Sequence, residues 1–179
     1  MFEYLEYMSN TINDFRDFFK PNRNKETIDI SIIVNKSIDF IGYLLKANSI
    51  KLNIRNDMKI DVFVYLNEIV QAIINIIKNA CDALNEKNNE KKVINISTLK
   101  ESHYICIMIE DNAGGIPNNV MGKIFEPYFT TKHKSQGTGL GLFMSKMICE
   151  QGLDGSINVK SKKGITKFII NIPLEEKNA

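Results

Sequence analysis

The sequence has few residues that could form disulfides or a zinc site. Its three cysteines, Cys81, Cys106 and Cys149, are an odd number without CxxC spacing, and each lies in an apolar run. This pattern is typical of reduced cysteines in the core of a cytosolic protein. We therefore expect a cytoplasmic protein with neither a disulfide framework nor a zinc centre.

Long apolar runs and an excess of one charge are also missing. No run approaches the ~20 residues of a membrane-spanning helix, and the first residues lack the basic and then apolar layout of a signal peptide. The 23 Lys and Arg against 21 Asp and Glu leave a net charge of +2, which excludes a basic face across the whole chain. We expect no nucleic-acid partner and no membrane segment in this chain, although a longer parent protein could be membrane-anchored.

The 179 residues provide enough length for one domain with a short appendage. We predict the appendage at residues 1–21 and the domain at residues 22–179. Apolar residues in the appendage are spaced three, four, three and four, which predicts a helix with a heptad seam. The seam residues are Leu5, Met8, Ile12, Phe15 and Phe19. The seam either packs on its own domain or faces a partner helix, and we favour the partner helix because a charged connector follows.

The remainder of the chain mixes helical and strand patterns without regular βαβ order. Ser31 is predicted to cap the first helix, and a short strand or turn is predicted near Phe63. Helices are predicted at 31–48, 66–86 and 140–151, and strands at 49–56, 93–100, 104–110, 156–160 and 166–172. We therefore expect an α/β sandwich with a mixed sheet and helices on one face.

A line of polar side chains runs along the otherwise apolar helix 66–86. Gln71, Asn75, Asn79 and Asp82 are spaced four, four and three, which places them on one helix face. A buried amide without a partner costs roughly 1–3 kcal/mol, so something polar must meet that face. The face either meets solvent at a helix edge or lines a ligand or metal site. An asparagine oxygen suits Mg²⁺, which takes its other ligands from water and phosphate.

An acidic residue ends the predicted strand 104–110 beside two glycines. The glycines allow the backbone to approach a flat ring, and the Asp111 carboxylate can accept a hydrogen bond from an amine on that ring. The alternative is a simple turn initiated by Asp111.

A glycine-rich segment, Gly137-Thr138-Gly139-Leu140-Gly141-Leu142, opens the last predicted helix. Free N–H groups at such a place predict a phosphate cradle, and the alternative is a flexible hinge. The spacing fits neither a Walker A loop nor a dinucleotide fingerprint. Lys132 and Lys134 lie just upstream and can reach phosphate oxygens. Together with the polar line and Asp111, the segment describes a nucleotide bound at both ends.

These segments together resemble the catalytic, ATP-binding part of sensor histidine kinases, in the Bergerat-fold group also called GHKL. The resemblance covers roughly residues 27–173, with the motifs in the family's order. Residues 75–80 look like the N box, and residues 111–116 look like the first glycine box. Residues 124–132 look like the F box and the start of the ATP lid, and residues 137–142 look like the second glycine box. Residues 1–20 look like the end of a dimerisation helix.

The resemblance implies ATP and Mg²⁺ as cofactors and gives each matching residue a role. Asn79 would ligate Mg²⁺, Asn75 would line the phosphate side, and Lys132 would act from the lid; these three are the predicted catalytic residues. Asp111 would bind the adenine amine. The implied nucleotide-binding set is Asn79, Asp82, Asp111, Gly115, Ile116, Phe125, Lys132, Gly137, Thr138, Gly139, Leu140, Gly141, Leu142 and Thr166.

The sequence departs from the family pattern at three places. Ala113 replaces a frequent glycine, and the late glycine motif is reduced to Gly164-Ile165-Thr166. The third departure is that no phosphoacceptor histidine is recognised: neither His103 nor His133 lies on a helix like that of a phosphoacceptor, and both are predicted to be surface residues. The resemblance therefore implies transfer of the ATP γ-phosphate to a histidine on a dimerisation helix outside this chain.

The residue at position 75 helps to choose between a kinase and a hydrolase. In gyrase-type, mismatch-repair and heat-shock ATPases of the group, a glutamate at this position activates water, whereas this chain has Asn75. The implied partners of a kinase are the phosphoacceptor domain of the parent chain, a cognate response regulator and a second copy bound through the N-terminal helix. The alternatives are a GHKL ATPase or clamp and a non-catalytic nucleotide-binding or dimerisation module.

Overall fold

The computed structural model describes residues 24–56, 59–87, 91–132 and 138–174. The predicted helix at residues 1–20 and its heptad seam lie outside these residues. The described elements are, in chain order, β1 (Glu26–Asp29), α1 (Ile30–Ala47), β2 (Lys51–Arg55), β3 (Asp61–Val64), α2 (Leu66–Glu86), β4 (Val93–Lys100), β5 (Tyr104–Asp111), α3 (Asn118–Met121), α4 (Gly141–Met147), a π-helix (Ile148–Gly152), β6 (Ser156–Lys162) and β7 (Ile165–Pro173).

Helix α1 begins after Asp29, and the prediction that Ser31 caps it is wrong. Asp29 has an extended backbone, and its carboxylate accepts a hydrogen bond from the Ser31 N–H at 2.7 Å. The Ser31 hydroxyl also donates to this carboxylate. A carboxylate is a stronger acceptor for an unpaired helix N–H than a hydroxyl, so the cap lies two residues earlier than predicted.

The predicted mixed sheet is confirmed. Five strands lie in the order β2-β4-β5-β7-β6. Strand β2 is parallel to β4, because the chain crosses over through α2 between them, and the other neighbours are antiparallel. Strands β1 and β3 form a separate antiparallel pair. Strand β2 is at the edge and is mostly exposed, so its predicted half-buried pattern is not observed.

One face of the five-stranded sheet packs against the helices, as predicted. Alternate residues of β4, β5 and β7 join the helix residues in a single core rich in isoleucine. Burial of each such side chain contributes roughly 1.5–3 kcal/mol. The fully buried set includes Ile33, Ile69, Ile73, Ile76, Ile77, Ile94, Ile105, Ile107 and Ile170.

Helix α2 has the predicted bounds and carries its polar line along the edge of the core. Gln71, Asn75, Asn79 and Asp82 are all half-buried, while the residues between them are largely buried. Among the described residues, no helix is both long and apolar enough to cross a bilayer.

All three cysteines are free and buried, as predicted. Cys81 and Cys149 lie in the core, and burial raises the pKa of each thiol to about 12. Cys106 lies on β5 between two core residues. Because successive side chains of a strand point to opposite faces, Cys106 is on the face of the sheet away from that core. Each thiol therefore stays protonated near neutral pH.

The predicted helix at 140–151 is two elements. Helix α4 covers seven residues, and a π-helix continues the chain to Gly152. A Leu153 N–H to Ile148 carbonyl bond of 3.0 Å closes the wide turn. The change from an α-helical to a π-helical turn alters the spacing of the apolar residues too little for the sequence to predict it.

Candidate functional site

A cavity of about 520 Å³ opens between α2, the end of β5, the loop after it and the start of α4. The polar line of α2, the Asp111 strand end and the glycine-rich segment before α4 all reach its wall. The predicted site residues that line it are Asn75, Asn79, Asp82, Asp111, Gly115, Ile116, Lys132, Thr138, Gly139, Gly141, Leu142 and Thr166.

Two predicted site residues lie outside the cavity wall. The Phe125 ring packs edge-on against the Phe168 ring, with centroids 6.3 Å apart, and Phe168 lines the cavity. Phe125 therefore supports the wall from behind. Leu140 immediately precedes α4 and also does not line the cavity. Gly137 lies outside the described residues.

Several cavity residues were not assigned to the site from the sequence. Lys78 on α2 and Lys87 immediately after the helix also line the cavity. Lys78 lies within the span of the polar line, so its spacing could have indicated it. Phe168 follows Thr166 by two residues on β7, so both face the same side of the sheet. The wall also includes Ala80, Ala83, Glu86, Ala113, Pro117, Val120, Ile124, Phe129, Thr130 and Thr131.

Asp111 is a buried hydrogen-bond acceptor at one end of the cavity. It is 5% exposed and lies opposite Thr166 in the β5–β7 pairing. Its Oδ1 accepts from the Ala113 N–H at 2.9 Å. Burial raises the pKa of this carboxyl to about 6, and the nearby Glu110 charge adds to the increase, while hydrogen bonds from Ala113 and Thr166 oppose it. The carboxyl retains capacity to accept from a ligand amine.

Asp111 is expected to make the unliganded fold less stable as pH rises from about 4 to about 6. The folded chain binds this proton more tightly than the unfolded chain, since burial raises the pKa from 3.8 to about 6. The penalty is absent below the lower pKa and complete above the higher one, where it is about 3 kcal/mol. Urea unfolding of the wild type and of Asp111→Asn at pH 4 and pH 7 measures this penalty. If the free energy of unfolding changed equally with pH in the two chains, Asp111 would not be its source.

The loop after Asp111 is fastened to the β6–β7 hairpin. The Ile116 N–H donates to the Ser161 hydroxyl at 2.7 Å, and the Gly114 N–H donates to the Gly164 carbonyl at 2.8 Å. Gly115 has a φ of +81°, and a Cβ there would lie 2.7 Å from the Ser161 hydroxyl. Despite its reduced glycine motif, the hairpin therefore still holds this loop, through the Gly164 carbonyl and the Ser161 hydroxyl.

The other end of the cavity is built where α4 meets α2. The Asn75 amide donates to the Gly141 carbonyl at 3.3 Å. The buried Ser145 hydroxyl lies 3.3 Å from the Ala72 carbonyl and 3.0 Å from the Gly141 carbonyl. These contacts fix the first turn of α4 against the helix that carries Asn75 and Asn79.

An ion pair crosses the cavity wall. The Lys132 ammonium lies 2.5 Å from the Asp82 carboxylate, and the two side chains are 20% and 34% exposed. The residues are 50 positions apart in sequence. The contact joins the segment after Phe129 to the C-terminal part of α2.

The donor set at Asn79 fits a cation that arrives with phosphate. Within the described ranges, no group of three or more His, Cys, Asp or Glu side chains could hold a metal ion by itself. Asn79 lines the cavity and its side chain carries an amide oxygen, and Mg²⁺ characteristically takes one or two protein oxygens, with the rest from phosphate and water. Asn79 is therefore suited to hold Mg²⁺ together with a phosphate-bearing ligand.

Residues 65–176 match the sequence profile of the histidine kinase-, DNA gyrase B- and HSP90-like ATPases. Sporulation kinase B of Bacillus subtilis is 30% identical over 168 residues, which are 92% of this chain and 38% of that protein. The sensor histidine kinase ZraS of Escherichia coli is 27% identical over 92% of this chain and 34% of its own length. The chain thus spans about a third of the length of these relatives.

The fold matches solved structures of the same group. The catalytic domain of histidine kinase ThkA superposes with a TM-score of 0.73 at 25% identity, over 84% of this chain and 95% of that domain. This confirms the Bergerat fold and the resemblance to the ATP-binding part of sensor histidine kinases. The matched profile covers more than half of the chain, including the whole cavity wall of α2, β5 and α4. This chain belongs to the family of histidine kinase-, DNA gyrase B- and HSP90-like ATPases.

Proposed function

We propose that the chain is the ATP-binding catalytic part of a protein-histidine kinase. It would transfer the γ-phosphate of ATP to a histidine on a dimerisation helix of its parent protein. The carrying observation is the cavity itself, which has a buried acceptor at Asp111 and, where α4 meets α2, Asn75 bonded to the Gly141 carbonyl, with Asn79 one turn farther along α2. A nucleotide has matching ends: an amine-bearing ring and a polyanion.

Each end of the cavity supplies a distinct interaction. The adenine amine would donate to Asp111, with Gly115 and Thr166 beside the ring. The backbone of Gly141 would approach the phosphates, and the Lys132 ammonium would neutralise part of their charge. Asn79 would hold Mg²⁺, which supplies charge neutralisation at the phosphates. Phosphoryl transfer depends mainly on such positioning and charge stabilisation.

The contacts of Asn75 and Asp82 favour a kinase over a hydrolase. A water nucleophile benefits from a general base, whereas a histidine imidazole is already nucleophilic. Asn75 is not a base, and its amide donates to the Gly141 carbonyl. The nearest carboxylate on the same face, Asp82, is paired with Lys132. Neither side chain is arranged to activate water.

A solved structure of a similar kinase supports the proposed partners. ThkA has been solved in complex with the response regulator TrrA, and this chain superposes on that kinase with a TM-score of 0.71 over 99% of its length. We propose that the parent protein likewise passes its phosphate to a response regulator and dimerises through residues 1–21. The free, buried cysteines support a cytoplasmic site of action.

The test combines this chain, Mg-ATP labelled at the γ-phosphate and a separate protein carrying the dimerisation helices of the parent. We expect acid-labile phosphate on the added protein and none on this chain. The control is the same helix protein with its histidine replaced by glutamine, which should remain unlabelled. Rapid ATP hydrolysis without the added protein would instead favour an ATPase or clamp, and nucleotide binding without either reaction would favour a non-catalytic module.

A further inference from the structure

We propose that Asp82 competes with the nucleotide phosphates for the Lys132 ammonium and so limits the affinity of the cavity for phosphorylated ligands. This inference rests on the proposed nucleotide site. It assigns Asp82 a role opposite to that of a binding residue: its carboxylate weakens the binding of the polyanion instead of strengthening it.

The geometry places both members of the pair where a phosphate would meet them. Both side chains line the cavity, and their charged atoms are 2.5 Å apart. Asp82 lies three residues after Asn79, on the same face of α2. An anion held near Asn79 would therefore approach the same ammonium that Asp82 already contacts.

The position of Lys132 is restricted. Its backbone N–H donates to the Thr130 hydroxyl at 3.1 Å, and its side chain is 20% exposed. The pair is partly shielded from solvent, so salt screens it less than a pair on the open surface. Lys132 cannot give its full charge to a phosphate while the Asp82 carboxylate remains beside it.

Because of the charges around the cavity, this competition affects the affinity for phosphates. The described wall carries three lysines and three carboxylates, so it offers no net positive charge to a polyanion. They are Lys78, Lys87, Lys132, Asp82, Glu86 and Asp111. Of these carboxylates, that of Asp82 lies 2.5 Å from the Lys132 ammonium and forms an ion pair with it. Removing its charge would leave Lys132 available to the ligand.

The test is Asp82→Asn, which keeps the shape and an acceptor oxygen but removes the charge. We expect its affinity for ATP, ADP and inorganic tripolyphosphate to rise about two- to fivefold, the range of a partly screened ion pair. Affinity for adenosine should not change, because adenosine carries no phosphate. Calorimetric titrations at one fixed salt concentration, with and without Mg²⁺, measure all four ligands.

Two matched variants separate competition for Lys132 from a general change of charge. Glu86→Gln removes the same charge from the same helix four residues later, and should raise tripolyphosphate affinity less than Asp82→Asn. In a Lys132→Met background, Asp82→Asn should have no more effect than Glu86→Gln. An equal gain in both backgrounds would overturn the proposal, since Lys132 would not be involved.

The remaining outcomes are also distinct. A loss of affinity seen only with Mg²⁺ would show that Asp82 acts on the metal, and a loss that includes adenosine would show that it maintains the cavity; either overturns the proposal. If the unsubstituted chain binds ATP and Asp82→Asn shows no gain, only this inference fails. If the unsubstituted chain binds no nucleotide, the proposed function fails as well.

Discussion

Replacing Gly139 with alanine is expected to destabilise the fold by about 2–5 kcal/mol. Gly139 has a φ of +66°, which costs an alanine about 1–2 kcal/mol. A Cβ at this position would also lie 2.4 Å from the Tyr128 carbonyl carbon and 2.7 Å from its Cα, so backbone would have to move. Such a loss is a large part of the roughly 5–15 kcal/mol that stabilises a typical domain.

Gly141→Ala is the matched control for Gly139→Ala. Gly141 begins α4 with a φ outside the left-handed region, and the nearest atoms to an added Cβ belong to Asn75 at 3.8 Å, an ordinary contact. We expect Gly141→Ala to fold with unchanged or slightly higher stability and to lose about tenfold in ATP affinity, because the methyl group would occupy the cavity side of the first turn.

Denaturant unfolding and ATP titration of the two variants test this division of roles. If Gly139→Ala were as stable as the wild type, the close approach of the Tyr128 backbone would not be what requires a glycine. If Gly141→Ala bound ATP normally, the phosphates would not approach at this residue. The two results are independent, because one concerns the fold and the other the ligand.

Asn79→Ala is expected to abolish the part of ATP affinity that depends on Mg²⁺, a loss of about 10- to 100-fold. Loss of an interaction with a charged group costs about 1.5–3 kcal/mol, which corresponds to that range. The fold should be unaffected, since Asn79 is half-buried on α2 and alanine is a strong helix former. Without Mg²⁺, the variant and the wild type should bind ATP equally.

The control for Asn79→Ala is Gln71→Ala. Gln71 lies on the same polar line of α2, two turns earlier, but does not line the cavity. The Gln71→Ala variant should bind Mg-ATP with the affinity of the wild type. Unchanged Mg-ATP affinity in Asn79→Ala would refute the role given to this asparagine and leave the metal to be held by other groups.

Several elements and the polar face of α2 followed from local patterns, whereas the roles of most site residues came from the family resemblance. The bounds of α2 and β4 agree with the residue spacing, because a helix or strand that buries one face must repeat its apolar residues at the period of its backbone. The same argument placed Asn75, Asn79 and Asp82 on one face, and all three line the cavity. The glycine segments were visible because few other residues tolerate such backbone conformations.

The features that were mispredicted depend on contacts between distant parts of the chain or on subtle backbone geometry. The resemblance assigned Phe125 to the nucleotide-binding set, but its ring packs behind Phe168, which β7 brings into the cavity wall. Asp29 and not Ser31 caps α1, a choice between two neighbouring acceptors that propensity alone does not resolve. The change from α4 to a π-helix leaves the apolar spacing almost unaltered.

By itself, the sequence determined where most helices and strands lie and which polar groups share one face of α2, since both depend on spacing along a continuous backbone. Only the tertiary structure decided how those groups are used. It paired Lys132 with Asp82 across 50 residues, set Gly139 against the Tyr128 backbone and buried Asp111 deeply enough to raise its pKa to about 6. Charge pairing, steric exclusion and desolvation act through space, and no period in the sequence encodes them.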